Sequence, residues 1–200
     1  MKQDKVESIL DAAKKMFGRY GIQKTNLSEV ARLARVAKAT IYNYFGSKDR
    51  VYLEVLQREA DDIIDNILFF IEKLSSPVEK IQTFVHAKFR YMKGAINILN
   101  LDREGVDKMM PKTDIIRNNL FEREVEIIYS ILELGVQEGI FRVDDLALTS
   151  RSIGYALRGF ELPLLTEGSN VKIEEYLDTF LTVFFDGILI DKKKWKIRYR

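Results

Sequence analysis

The chain has no cysteine, one histidine, three prolines and no apolar run of membrane-spanning length. The lack of cysteine excludes disulfides, thiolate catalysis and cysteine-based zinc sites. A lone His86 excludes a two-histidine metal site within one chain. A membrane span needs about 20 apolar residues; ILFFI at 67–71 and FLTVFFDGILI at 180–190 are too short. There is no phosphate-binding glycine loop, no nucleophile–base arrangement and no metal-ligand cluster. These absences exclude an enzyme reading and leave no catalytic residue, metal or cofactor to expect. The first apolar residues lie on a periodic, charge-interrupted segment rather than a secretory leader. The expectation is a soluble cytoplasmic protein with no membrane association.

What is present is a chain of 200 residues, 46% apolar, enough for a sizeable core without staples. Net charge is only +2, but it is unevenly spread. Residues 1–50 hold 11 Lys and Arg against 5 Asp and Glu, net +6. Residues 51–190 hold 15 against 24, net −9, and the last ten residues, DKKKWKIRYR, hold 6 against 1. A basic start on an acidic body suits a phosphate-binding module joined to a regulatory body.

Helical periodicity dominates, so an all-α fold is expected. Val6, Ile9, Leu10, Ala13, Phe17 and Tyr20 form one apolar stripe, and Gly21 stops that helix. Asn26, with Glu29 three residues on, caps a second helix. Arg35-Val36 makes a turn, and a third helix turns Ile41 and Phe45 inward before Gly46 ends it. Ser47 caps a fourth helix that runs without Gly or Pro from Lys48 to about Leu74, about 40 Å at 1.5 Å per residue. Ser75-Ser76-Pro77 breaks it. Further helices are predicted from there to about Asn97, around 101–108, from Thr113 to Glu138, from Asp144 or Asp145 to about Leu165, and from Val171 to Leu189. The domain boundary is expected inside the fourth helix, giving residues 1–50 and 51–200 as the two domains.

The stretch TNLSEVARLARVAKATIYNYFGSKD, residues 25–49, has the layout of a helix-turn-helix whose second helix enters a DNA major groove. That helix presents Lys38, Ala39, Thr40, Tyr42, Asn43 and Tyr44 opposite its apolar face. Asn43 can pair bidentately with adenine, and the methyl groups of Ala39 and Thr40 can touch thymine methyls. Arg35 adds a cation to the turn.

Ile9-Leu10-Asp11-Ala12-Ala13, Phe17, Gly21, Thr25, Val30-Ala31, Ala34, Val36, Lys38, Thr40, Ile41-Tyr42, Tyr44-Phe45 and Ser47-Lys48-Asp49 together resemble the TetR family of bacterial transcriptional regulators. The order and spacing match over residues 5–53; beyond residue 60 only helix number and length agree. The resemblance implies a three-helix head on a helical-bundle body, about nine helices in all. It implies a homodimer built on the last two helices, and a body cavity whose ligand releases a repressor from DNA. It also implies that Tyr42 and Lys48 contact phosphates, with Thr25 and the start of the second helix at Asn26 beside them. Two positions depart from the family: Arg35 stands where glycine is usual, and Ala37 where a serine cap is usual.

A single head touches few bases, so two heads on a palindromic operator are expected, with half-sites about 34–36 Å or a multiple apart. In the body, Phe89, Arg90, Met92, Phe121, Tyr129 and Phe160 are candidates for a bulky, apolar or amphipathic effector. Tyr155, Leu177, Phe180 and Phe184 are candidates for the dimer face. Met109-Met110 suits a flexible wall, and the KKKWKIRYR end suits a disordered solubilising tail. Two alternatives stay open: an adaptor of this fold without DNA binding, which Thr40, Tyr42 and Lys48 argue against, and an activator.

Overall fold

The computed structural model describes residues 2–99, 110–161 and 172–190. Among these the chain is all-α: eight helices and one four-residue helical turn. In chain order they are α1 (Lys2–Lys24), α2 (Leu27–Leu33), α3 (Lys38–Phe45), α4 (Lys48–Ile71), α5 (Pro77–Met92), α6 (Ile96–Leu99), α7 (Met110–Gln137), α8 (Leu146–Gly159) and α9 (Ile173–Ile188). The backbone divides into two compact units, Met1–Asp62 with Ala95–Asn118, and Ile63–Gly94 with Asn119–Arg200. The first division falls inside α4.

In the first unit the stripe of α1 is buried at Ile9, Leu10, Ala13 and Phe17, half-buried at Val6 and, against its spacing, exposed at Tyr20; Phe17 meets Tyr52 of α4 edge to face at 5.1 Å. Gly21 breaks α1 with φ 74°, a backbone that suits glycine alone. The unit's buried acid is Glu59 of α4. It accepts from Asn97 Nδ2 at 2.8 Å and from the Ile98 N–H at 3.0 Å, while Lys14 Nζ stands 3.9 Å away. Asn97 Nδ2 also donates to Lys14 O at 3.2 Å. Glu59 thereby fastens α6 to α1 and α4. Burial raises its pKa, and the amide and backbone donors only partly offset this.

These contacts correct one expectation. The fifth helix was expected to reach about Asn97, but α5 ends at Met92, with Gly94 N–H folded back on Tyr91 O at 3.0 Å. Asn97 belongs to the separate turn α6, where Glu59 supplies the acceptors. One other end is shorter than expected: α4 stops at Ile71; α8 ends at Gly159, and of its expected continuation to about Leu165 residues 162–165 lie outside the described residues. The expected helix at 101–108 and the basic tail lie outside the described residues.

In the second unit, Ser76 caps α5 by accepting from the Glu79 N–H at 3.4 Å, and Asp145 caps α8 by accepting from Leu148 N–H at 2.8 Å. Ile81, Phe84, Val85, Phe89 and Met92 are the buried face of α5; Ile173, Leu177, Leu181 and Phe185 are that of α9. The turn after α7 folds back so tightly that the Phe141 ring lies on Gly135, where a Cβ would come within 2.0 Å of a ring carbon. One isolated bridge, Phe141 with Leu189, pins this turn to the end of α9. Its bonds are Arg142 N–H to Ile188 O at 2.8 Å and Ile190 N–H to Ile140 O at 3.2 Å.

Candidate nucleic-acid interface

The turn between α2 and α3 is built from backbone bonds. Asn26 caps α2, its Oδ1 accepting from Ser28 N–H at 2.8 Å. At the other end Val36 N–H returns to Ala31 O at 3.0 Å and Arg35 N–H to Arg32 O at 3.3 Å. These two bonds define a Schellman motif, whose pivot is normally glycine. Here the pivot is Arg35, with φ 55°. The turn therefore does require the left-handed region, and the arginine sits there under about 1 kcal/mol of strain. Ser8 Oγ donates to Ala34 O at 3.0 Å and ties the turn to α1. Ala37 occupies the N-cap of α3 and makes no side-chain cap bond.

Across α3 the faces separate cleanly. Ile41 and Phe45 are buried; Lys38, Ala39, Tyr42 and Asn43 are exposed; Thr40 and Tyr44 are half-buried. Tyr42 is 45% exposed, with Lys38 Nζ 5.9 Å from its ring centroid. A cation over a tyrosine face keeps both side chains on the outer surface. Tyr44 leans edge-on against Phe45 at 6.4 Å. Arg35 and Asn26 are exposed beside this surface.

Thr25 and Lys48 are placed differently. Thr25 is buried, and its Oγ1 donates to Gly21 O at 2.7 Å and Met16 O at 3.1 Å. Lys48 Nζ donates to Ile22 O at 2.8 Å and lies 3.4 Å from Gln23 O and Thr25 O. An ammonium has three donors, and three carbonyls at and just past the end of α1 engage this one. The charge also complements the negative end of the α1 dipole.

Of the candidate effector residues, Phe89 and Phe160 pack edge to face at 6.4 Å. Phe89, Met92 and Phe121 are buried, Phe160 is half-buried and Tyr129 is exposed. Arg90 faces outward, lining a cleft of about 300 Å³ with Phe70, Gln82, Thr83, His86, Ala87 and Tyr91. His86 Nε2 is 3.2 Å from Asp178 Oδ1. Of the candidate pairing residues, Leu177 is buried, Phe180 and Phe184 are half-buried and stacked at 6.1 Å, and Tyr155 is 57% exposed.

Sequence reasoning passed over Lys88, which is buried in α5 against Glu124 and Glu161. The available signal was its position: it stands among Phe84, Val85 and Met92 on an otherwise apolar face. Among the described residues there is no helix long and apolar enough to cross a membrane and no group of three potential metal ligands.

Residues 9–55 match the family described as bacterial regulatory proteins, tetR family. The chain is 31% identical over 84 residues to the HTH-type transcriptional regulator BetI of Agrobacterium fabrum, a match covering 42% of this chain and 41% of that relative. The fold is also found in a transcriptional regulator from Cytophaga hutchinsonii, with TM-score 0.77, 20% identity, and 92% and 98% of the two chains covered. FadR from Bacillus subtilis, in complex with stearoyl-CoA, superposes with TM-score 0.72 at 20% identity, covering 90% of this chain and 98% of that one. The match falls on the N-terminal helix-turn-helix head, and the chain spans about two fifths of the length of the first curated relatives it matches. Residues 9–55 thus carry a TetR-family helix-turn-helix domain at the N-terminal end of the chain.

Proposed function

We propose that the chain is a cytoplasmic repressor that binds a palindromic operator as a homodimer and leaves it when a bulky, amphipathic small molecule binds. Residues 1–50 are the DNA-binding domain and residues 51–200 the effector-binding and pairing domain. The observation that carries the proposal is the outer face of α3. Lys38, Ala39, Tyr42 and Asn43 are exposed there while Ile41 and Phe45 hold the helix down. This face lies within the family-matched residues. Lys38, Tyr42 and Arg35 supply backbone-positioning contacts; Ala39, Thr40, Asn43 and Tyr44 face the bases. Asn26 presents the start of α2 to a phosphate. Thr25 acts through the α1 end that it holds, as does Lys48, whose phosphate contact exchanges with its carbonyl bonds.

Pairing is supported by exposed apolar residues on α8 and α9: Tyr155, Tyr176 at 51% and Val183 at 70% exposure, flanked by Phe180 and Phe184. An effector with a large apolar part is supported by the stearoyl-CoA held by the structurally similar FadR. Selection of genomic fragments by the purified chain, followed by gel shift, tests the whole reading. A palindromic site bound by two chains is expected, with binding weakened by Tyr42→Phe. A chain that stays monomeric, or binds no duplex at low salt, overturns it.

A further inference from the structure

Lys88 is the one lysine among the described residues that is fully buried, at 1% exposure. Its Nζ donates to Glu124 Oε1 at 2.6 Å and to Glu161 Oε1 at 2.9 Å. An ammonium carries three N–H donors; the third makes no hydrogen bond among the described residues. The two carboxylates differ in access. Glu124, in the middle of α7, has a side chain only 5% exposed, whereas that of Glu161 is 16% exposed and lies two residues past the end of α8. Burial opposes charge on Glu124; Lys88 favours it, Glu161 opposes it and Arg158 favours it. Beside Glu161, Phe160 is half-buried. Its ring packs edge-on against Phe89 at 6.4 Å and Phe180 at 5.7 Å. A buried cation, a partly exposed carboxylate and packed aromatic rings thus meet at one place.

We propose that Lys88 anchors the carboxylate head of an amphipathic ligand whose apolar tail lies along Phe160 and Phe89, and that Glu161 holds that place in the free protein. This rests on the effector-released repressor reading and names the head group that reading leaves open. Exchanging one carboxylate for another keeps the charge around Lys88 constant, so no buried ion is stranded. A neutral alcohol cannot replace Glu161 on those terms, and a cationic head is repelled. Displaced, Glu161 turns away from Lys88. Phe160 then carries the change to Phe180, a residue of the proposed pairing face.

Calorimetry on the full chain with dodecanoate, dodecanol and dodecyltrimethylammonium, each below its micelle concentration, tests the assignment. Dodecanoate is expected to bind the wild type in preference to the other two. Glu161→Gln removes the internal competitor and is expected to tighten dodecanoate by roughly tenfold. The double variant Lys88→Met/Glu124→Met replaces the ion pair with apolar side chains of similar volume, a change compatible with folding. It is expected to bind dodecanoate no better than dodecanol. Equal binding of all three amphipaths by the wild type, no tightening in Glu161→Gln, or a carboxylate preference surviving in the double variant overturns the proposal. Operator binding measured on the same samples separates the two readings. Carboxylate-selective binding without any operator complex sinks the repressor; an operator complex without carboxylate selectivity sinks the Lys88 anchor.

Discussion

Two buried glutamates, one in each unit, are stabilised in different ways. Glu59 is surrounded mainly by neutral donors: an asparagine amide, a backbone N–H and a lysine 3.9 Å away. Glu124 is held by a full positive charge at 2.6 Å that is itself buried. The first arrangement specifies where a short helical turn docks, and its members tolerate loss of charge. The second stores two opposed ions out of water, and each depends on the other. In the unit with the proposed DNA-binding surface the buried acid is held by hydrogen-bond geometry; in the unit with the proposed effector site it sits in an ionic centre. Directional bonds suit a surface that must keep one shape. A buried ion cluster suits a place where one charged group can replace another.

Breaking the ionic centre should have the largest effect. Lys88→Met alone strands two carboxylates and is expected to cost about 3–5 kcal/mol, read from urea unfolding; a loss under 1 kcal/mol would mean that water reaches the site. Glu59→Gln should cost less, about 1–3 kcal/mol, because its amide N–H₂ must face a donor. Retained hydrogen-exchange protection at Asn97 and Ile98 in that variant would show that α6 docks without the carboxylate.

The pH dependence sharpens the same contrast. Burial raises the Glu59 pKa above 4.5, so the folded chain holds this proton more tightly than the unfolded one. Its contribution to stability is complete where both states are protonated and declines as pH rises from the unfolded value through the folded one. The gap between wild type and Glu59→Gln should therefore narrow as pH rises above the ordinary carboxylate value of about 4.5. A constant gap would show an ordinary carboxyl group.

Smaller gains are expected in the helix-turn-helix. Arg35→Gly relieves the left-handed strain and Ala37→Ser restores a cap, each stabilising by about 1 kcal/mol or less. If Arg35→Gly also weakens operator binding, the guanidinium is a phosphate contact; unchanged binding removes it from the interface. Tyr42→Phe removes one hydroxyl from an exposed ring, so operator affinity should fall with no change in the unfolding midpoint.

These features were not equally visible in the chain. The caps at Asn26, Ser47, Ser76 and Asp145 follow local chemistry, and so do the buried faces of α3 and α9. Arg35 was legible as a departure, and only the backbone showed that the turn requires its strained conformation. The break at Gly94 was local but outweighed by the continuing apolar period of α5. Glu59 with Asn97, Lys88 with Glu124 and Lys48 with Ile22 are separated by 38, 36 and 26 residues. Nothing in a short window encodes such pairings, although a lysine inside an apolar stripe is a local hint that an acid must answer it.

The grip of Lys48 on the last carbonyls of α1 has a mechanical consequence. Lys48 is the first residue of α4, so a twist applied to that helix is felt at once where α1 ends and Thr25 hands the chain to α2. Such a coupling would make the three N-terminal helices pivot together rather than flex apart. A signal arriving along α4 would be delivered as a change in where the proposed DNA-facing surface stands, with its own contour left intact.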